Sequence, residues 1–345
     1  MSSAEREALL EVRGLSVTLG ARSGRLHILR EVNIDVAPGE TVCIVGESGC
    51  GKSMTSLALM GLLPVGAVRT AEYMRFEGRN ILSLDDRQMS DLRGDRLSMI
   101  FQEPMTALNP VYTIGDQLAE PLFRHRGIGR REAYEKVEAI LESVGISGAR
   151  RRLAQYPHQL SGGLRQRVFI AMALVCKPSL LIADEPTTAL DVTIQVQILQ
   201  LLKQLQTKTG MGMLFITHDL GLVARLADRV LVMYAGQVIE TGTVEDIFRR
   251  PSHPYTQGLL RCIPVIGANR ESKPLGAIPG MVPHPAEVLD GCAFRARCPA
   301  SVPDCSLPRI EFVARGPYRG ARCIVEPTDA RKAWQRFDSS GSNAT

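Results

Sequence analysis

Four stretches of this 345-residue chain carry residue types at spacings that do chemistry. The first is GESGCGKS, from Gly46 to Ser53, which fits G-x-x-x-x-G-K-S. Gly46, Gly49 and Gly51 free the backbone to wrap phosphate oxygens with its N–H groups, those of Glu47, Ser48 and Cys50 included. Lys52 then reaches the outer phosphates and Ser53 ligates Mg²⁺, so a nucleoside triphosphate with magnesium is the expected ligand. The second is SLLIADEP, an apolar run ending in Asp184 and Glu185. A carboxylate at a strand end can hold Mg²⁺ through water, and its neighbour can polarise an attacking water. Alone, the pair reads equally well as a solvated acidic turn. Beside a phosphate loop it points to hydrolysis.

The third stretch is LSGGLRQR, where Ser161, Gly162 and Gly163 open a helical pattern. A hydroxyl and free N–H groups at a helix start form a second anion site. It lies about 107 residues beyond the first, and a single active site needs only one. The economical account is a dimer in which one copy's Ser-Gly-Gly closes on the nucleotide of the other. A plain N-cap would explain neither the spacing nor the RQR that follows. The fourth stretch holds Cys292, Cys298, Cys305 and Cys323, half of the eight cysteines within 32 residues. In a reducing cytosol such clustering points to metal before disulfide. Four thiolates suffice for Zn²⁺ or an iron–sulfur cluster, although the C-x-x-C pairs that zinc ribbons favour are absent. Unliganded or oxidised thiols are the bland alternative. Arg295 and Arg297, between the first two cysteines, would offset a cluster's negative charge or simply face water.

These groups need rigid elements beneath them. TVCIVG (41–46) reads as a buried strand feeding the phosphate loop, with a helix from Lys52 to Leu62 behind it. SLLIADE and GMLFITH are further apolar strands, each followed by a helical pattern, and residues 114–144 carry mostly helical periodicity. RVLVMYAGQVIETG has turn residues between two short β runs, a hairpin signal. Strands alternating with helices predict an α/β fold with a mostly parallel sheet covered on both faces. After Arg250 the chain becomes proline-rich, with little core of its own and a need for a staple. The expected division is therefore 1–250, an accessory region 251–335 and a frayed tail 336–345.

Composition narrows the class. Hydrophobic residues make up 45% and charged residues 22%, values of a globular protein with a real core. No apolar run approaches the ~20 residues of a membrane span, and the N-terminus has charges where a signal peptide would be apolar. A net charge of +5 without a long basic run permits anionic partners without demanding nucleic acid, and none is expected.

Taken in order, the motifs resemble those of the ATP-binding-cassette (ABC) ATPases over residues 9 to about 250. GESGCGKS is similar to their Walker A motif, LLIADE to Walker B and LSGGLRQR to the family signature. Gln102 in IFQEP, Asp191 in TALD and His218 in ITHD resemble the Q-loop, D-loop and switch histidine. The resemblance implies a P-loop cassette with a helical subdomain at about 103–175. It implies that Asp184 and Gln102 serve Mg²⁺, that Glu185 is the general base, and that His218 steadies the γ-phosphate. Ser161, Gly162 and Gly163 would act on the neighbour's ATP, with Asp191 linking the two sites. Leu164 departs from the usual Gln of the signature. The adenine-stacking aromatic is also missing, since no Phe, Tyr or Trp precedes Tyr73, and Leu19 takes that place. An aliphatic contact there forfeits about 1 kcal/mol of stacking.

FQEPMTALNPVYTIGDQL, YPHQLSGGLRQRVFIAMAL and RRPSHPYTQGLL narrow the resemblance to ATPase subunits of oligopeptide/dipeptide-type importers. That branch also includes nickel and glutathione importers. It implies two membrane permeases, a second ATPase (identical or paralogous), an extracytoplasmic solute-binding protein, and a peripheral location on the cytoplasmic face of the inner membrane. Gln102 to Leu122 would receive a permease helix. In the same branch, four cysteines in the pattern GCAFRARC-x6-C-x17-C can hold a [4Fe–4S] cluster. Soluble cassette ATPases of DNA repair carry a long insertion between loop and signature, and those of translation carry two cassettes. Neither pattern is present.

Overall fold

The computed structural model describes residues 8–21, 24–102, 108–187, 191–263, 276–287 and 290–341. Two long strands, β1 (Leu10–Ala21) and β2 (Gly24–Val36), form an antiparallel ribbon. Next, β3 (Thr41–Val45), buried at every residue, runs into the phosphate loop and α1 (Lys52–Met60). The short β4 (Ala67–Thr70), β5 (Tyr73–Phe76) and β6 (Arg79–Asn80) complete a five-stranded antiparallel sheet with β1 and β2. Then α2 (Asp86–Leu92), opened by a capping box of Asp85 and Gln88, leads to β7 (Leu97–Ile100).

A helical group follows: α3 (Ile114–Arg126), α4 (Arg130–Ser143), the short α5 (Ala149–Arg152) and α6 (Gly162–Leu174). The chain then alternates β8 (Leu180–Asp184), α7 (Val192–Thr209), β9 (Gly212–Thr217), α8 (Leu220–Leu226) and β10 (Arg229–Tyr234). Strands β10, β3, β9, β8 and β7 lie side by side in parallel. The expected hairpin joins β10 to β11 (Gln237–Thr243) through Ala235 and Gly236, both at positive φ (45° and 79°). That pair of angles suits the right-handed twist of a two-residue hairpin.

The central strands read as unbroken apolar runs because both faces are covered. Leu180 and Ile182 of β8 join the core beneath the antiparallel sheet, whereas Leu181 and Ala183 join the helical side. Successive side chains of one strand thus serve two cores.

The composition change near residue 250 does not interrupt packing. After α9 (Val244–Arg249), the backbone N–H groups of Ser252 and His253 donate to the buried Glu240 carboxylate at 2.5 and 2.8 Å. Then α10 (Pro254–Arg261) sinks Tyr255 into the helical-side core, where Phe294 and Trp334 also lie. A second hairpin, β12 (Val313–Gly316) with β13 (Arg319–Ala321), extends the main sheet to eight strands by pairing with β11. Instead of building its own core, the region borrows the cassette's.

The frayed tail expected from residue 336 is in fact helical as far as Gly341, within α11 (Pro327–Gly341). Trp334 and Phe337, three apart and so on one face, explain the difference. The buried Trp334 ring meets Phe337 edge-on at 5.7 Å, carries the Arg261 guanidinium at 4.4 Å, and donates its indole N–H to the Pro254 carbonyl at 2.9 Å. No helix among the described residues is long and apolar enough to cross a membrane.

Candidate active site

Four parallel strand ends deliver the reactive groups to one spot, a consequence of strand order rather than of sequence distance. From β3 comes the phosphate loop. Gly46 has φ 158°, and a Cβ there would stand 2.3 Å from the Met233 carbonyl oxygen, so no larger residue fits. Gly236 of the hairpin braces the loop by donating its N–H to the Cys50 carbonyl at 2.9 Å. Lys52 is buried, its Nζ donating to the carbonyls of Gly46 and Glu47 at 2.9 and 3.0 Å.

From β8 come Asp184 and Glu185. Ser53 and Ser56 donate to the two Asp184 carboxylate oxygens, each at 3.2 Å. Burial pushes the Asp184 carboxyl up from its usual range, and the two hydroxyls oppose that shift. Ser53 Oγ and the Asp184 carboxylate are hard oxygen ligands of the kind that would hold Mg²⁺. Glu185 sits at φ 44°, an uncommon conformation for a side-chain-bearing residue, which costs about 1–3 kcal/mol. Its N–H is tied to the Ile216 carbonyl of β9 at 2.9 Å.

Glu185 is where the remaining groups meet. From β9, His218 Nδ1 stands 3.2 Å from one carboxylate oxygen, and Gln102 Nε2, just past β7, donates to the other at 3.3 Å. Lys52 Nζ is 4.0 Å from the His218-facing oxygen. The structure therefore brings together Lys52, Ser53, Gln102, Asp184, Glu185 and His218, all six expected on sequence grounds. The carboxylate faces a cation and two side-chain nitrogens, a setting in which it can orient a water and take its proton.

Ser161, Gly162 and Gly163 stand elsewhere, at the start of α6. Ser161 is its exposed N-cap and makes no cap bond with its side chain, which leaves the helix-start N–H groups open. Asp191, likewise exposed, opens α7. The second candidate anion site thus opens on the surface. Thr188 to Leu190 of the TALD motif, and residues 103–107 after Gln102, lie outside the described residues.

The four cysteines come from turns. Arg295–Arg297 and Pro303–Ser306 form 3-10 turns, and the Cys292 N–H donates to the Cys305 carbonyl at 2.8 Å. All four thiols lie within electrostatic reach of one another. Burial pushes up the thiols of Cys292, Cys298 (to about 12) and Cys323 (to about 11). Among the described residues, no three His, Cys, Asp or Glu side chains stand at metal-holding geometry. As a donor set the four thiols fit a thiophilic centre, but its geometry is not preformed.

Arg297 corrects the sequence reading. It neither faces water nor counters the cysteines: it is buried, and its guanidinium grips the Glu47 carboxylate at 2.7 and 2.9 Å. Burial alone would lower its pKa, but the bonds to Glu47 and Tyr234 raise it on balance. Arg295 donates to the Asp290 carbonyl. Sequence reasoning also missed Tyr255, whose hydroxyl accepts the Glu47 N–H at 2.9 Å, and Ser56. A helical repeat places Ser56 on the Ser53 face, so that residue was within reach. No pattern announces a contact across 250 positions.

Comparison with known proteins agrees with this geometry. Residues 29–188 match the ABC transporter family, and residues 239–305 match the oligopeptide/dipeptide transporter C-terminal region. The dipeptide transport ATP-binding protein DppD of Bacillus subtilis is 50% identical over 328 residues, covering 95% of this chain and 97% of DppD. The oligopeptide transport ATP-binding protein OppD of Salmonella typhimurium is 46% identical over 319 residues, 92% of this chain and 94% of OppD. Among solved structures, the ATP-binding cassette MJ0796, a dimer in a post-hydrolysis state bound to ADP and Pi, is similar with TM-score 0.61 and 29% identity. That match spans 68% of this chain and 98% of the cassette. With its six reactive groups gathered at the strand ends and its relatives matching end to end, the chain belongs to the ABC-transporter family of ATP-binding, ATP-hydrolysing subunits.

Proposed function

We propose that this chain powers the import of di- or oligopeptides, as one of a pair of cassettes seated under two membrane permeases on the cytoplasmic face of the inner membrane. The observation that carries the proposal is the near full-length likeness to subunits named for dipeptide and oligopeptide transport. The exposed start of α6 supports pairing, since Ser161 to Gly163 have open donors and no phosphate of their own chain to hold. Exposed apolar side chains on either side of residues 103–107 support permease docking: Phe101, Val111 and Tyr112 are large and exposed. The solute-binding protein delivers the peptide through the permeases and need not touch this chain.

In this reading the loop from Gly46 to Lys52 holds the phosphates. Ser53, Asp184 and Gln102 would hold Mg²⁺, which would supply charge neutralisation at the outer phosphates. Glu185 takes a proton from the attacking water while His218 steadies the γ-phosphate, and Ser161, Gly162, Gly163 and Asp191 act across the pair. Cys292, Cys298, Cys305 and Cys323 would hold a [4Fe–4S] cluster whose role is to staple the turns. Their convergence from separate turns supports this.

The test is a tagged pull-down from gently solubilised, anaerobic membranes. Two permeases of a peptide importer and a second ATPase are expected. Recovery without any membrane protein sinks the importer reading, and permeases of a nickel or glutathione system would redirect the substrate. About four irons with sulfide per chain are expected on the same sample. Zinc, or neither metal, would discard the cluster.

A further inference from the structure

The nucleotide loop is gripped from behind by the cysteine-bearing region. Arg297 sits between Cys292 and Cys298 and is only 8% exposed. Besides its two bonds to Glu47, it donates through Nε to the Pro279 carbonyl at 2.7 Å and through Nη1 to the Tyr234 hydroxyl at 3.3 Å. Its guanidinium lies 5.7 Å from the Tyr234 ring and 5.9 Å from that of Phe294. Those rings and Tyr255 form a buried trio with centroids 4.7 to 5.3 Å apart. Tyr255 in turn accepts the Glu47 N–H. The second residue of the loop is thus fixed by side chain and by backbone, from positions more than 200 residues away.

The loop also has ties that do not pass through Arg297 or Tyr255. Its turn is closed by the Cys50 N–H on the Glu47 carbonyl at 3.3 Å and braced by Gly236. Only the Arg297 end of the pair is buried, since the Glu47 side chain is 30% exposed, and breaking the pair from the Glu47 side leaves a buried guanidinium uncompensated. Such a pair is a poor device for stability alone and a good one for holding register between two segments.

We propose that Arg297 is a positioning residue for the phosphate loop, and that through it ATP affinity is coupled to the order of the segment carrying Cys292, Cys298 and Cys305. Any state of these cysteines that loosens the turn at 292–298 releases Glu47, so the segment acts as a control on nucleotide binding. Coupling is reciprocal, so ATP must also quieten the cysteine segment. The inference rests on ATP binding at 46–53 and not on the transported solute or the metal.

The experiment uses the full-length protein and its Arg297→Gln, Arg297→Lys and Tyr255→Phe variants. ATP affinity is read by titration with a fluorescent ATP analogue, and amide exchange over 291–306 by mass spectrometry with and without ATP. Arg297→Gln should weaken ATP binding about five- to tenfold, within the usual range of coupling between sites. It should raise KM far more than it lowers kcat. Arg297→Lys, which keeps the charge but loses the fork, should fall between. ATP should slow exchange over 291–306 in the wild type and not in Arg297→Gln. An unchanged Kd, or equal protection in both proteins, overturns the proposal. If Arg297→Gln does not fold, unchanged affinity in both other variants overturns it. Wild type that binds no ATP would instead refute the nucleotide site.

Discussion

The groups around Glu185 ride on the ends of parallel strands that are buried on both faces. Between Cys292 and Cys323 the thiols hang on 3-10 turns and connecting chain, at the edge of a core that belongs to the cassette. The first arrangement is assembled without any ligand, which suits the positioning of a water and a proton acceptor. The second depends on cross-links: an ion pair to the loop, a hairpin added to the sheet, a tryptophan docked on α10. Order is inherited in one region and borrowed in the other.

The sharpest test of the inherited side is Glu185→Gln. Hydrolysis should fall at least about 10²-fold with ATP binding retained, leaving a closed ATP-bound dimer on size exclusion; normal phosphate release would remove Glu185 as the base. On the borrowed side, Trp334→Ala should cost about 3–5 kcal/mol in urea denaturation. The unfolding should stay a single transition, because the indole lies in the cassette's core. Two separated transitions would mean that the accessory region stands alone after all.

A smaller effect comes from His253 at the junction. It is buried and neutral, and its Nδ1 accepts the Tyr255 N–H at 3.0 Å as the cap of α10. Burial lowers its pKa to about 3 from an ordinary 6.5. Between those values the unfolded chain binds the extra proton, so this contribution is complete above pH 6.5 and is lost as pH falls towards 3. Stability should drop by about 2 kcal/mol from about pH 7 to about pH 5 on this account. His253→Asn, which keeps a cap without titrating, should remove that slope, and an unchanged slope would assign it to other groups. Smallest is Leu19→Tyr, which should tighten ATP binding by about 1 kcal/mol by restoring a ring for the base. Identical affinities would show that Leu19 is not at the adenine.

The two regions also differ in how legible they are. Lys52, Ser53, Asp184 and Glu185 are readable because each stands at a strand or helix end marked by a short local pattern, whereas Gln102 and His218 are readable only through the family resemblance. Local patterns also announce the β10–β11 hairpin and the parallel sheet. Arg297 carries no such mark, since its partner is set by how the proline-rich chain folds back on the loop. The helical tail escapes sequence reading for a related reason: the sequence ends in the polar stretch DSSGSNAT, yet Trp334 and Phe337 on one face decide its fate. Short-range rules see what the chain does locally, and long-range burial stays invisible to them.

The hairpin of β12 and β13 has one more consequence. Without it, β11 would be the outer strand of the main sheet, with the unpaired backbone groups of Glu240 and Thr241 facing solvent. Open strand edges recruit other chains. A chain cut short at the composition change near residue 250 would therefore expose a sticky seam, and Glu240 would lose the amides of Ser252 and His253 that shelter its charge. The accessory region is the cassette's selvedge: cut it away and the fabric is open to aggregation from that side.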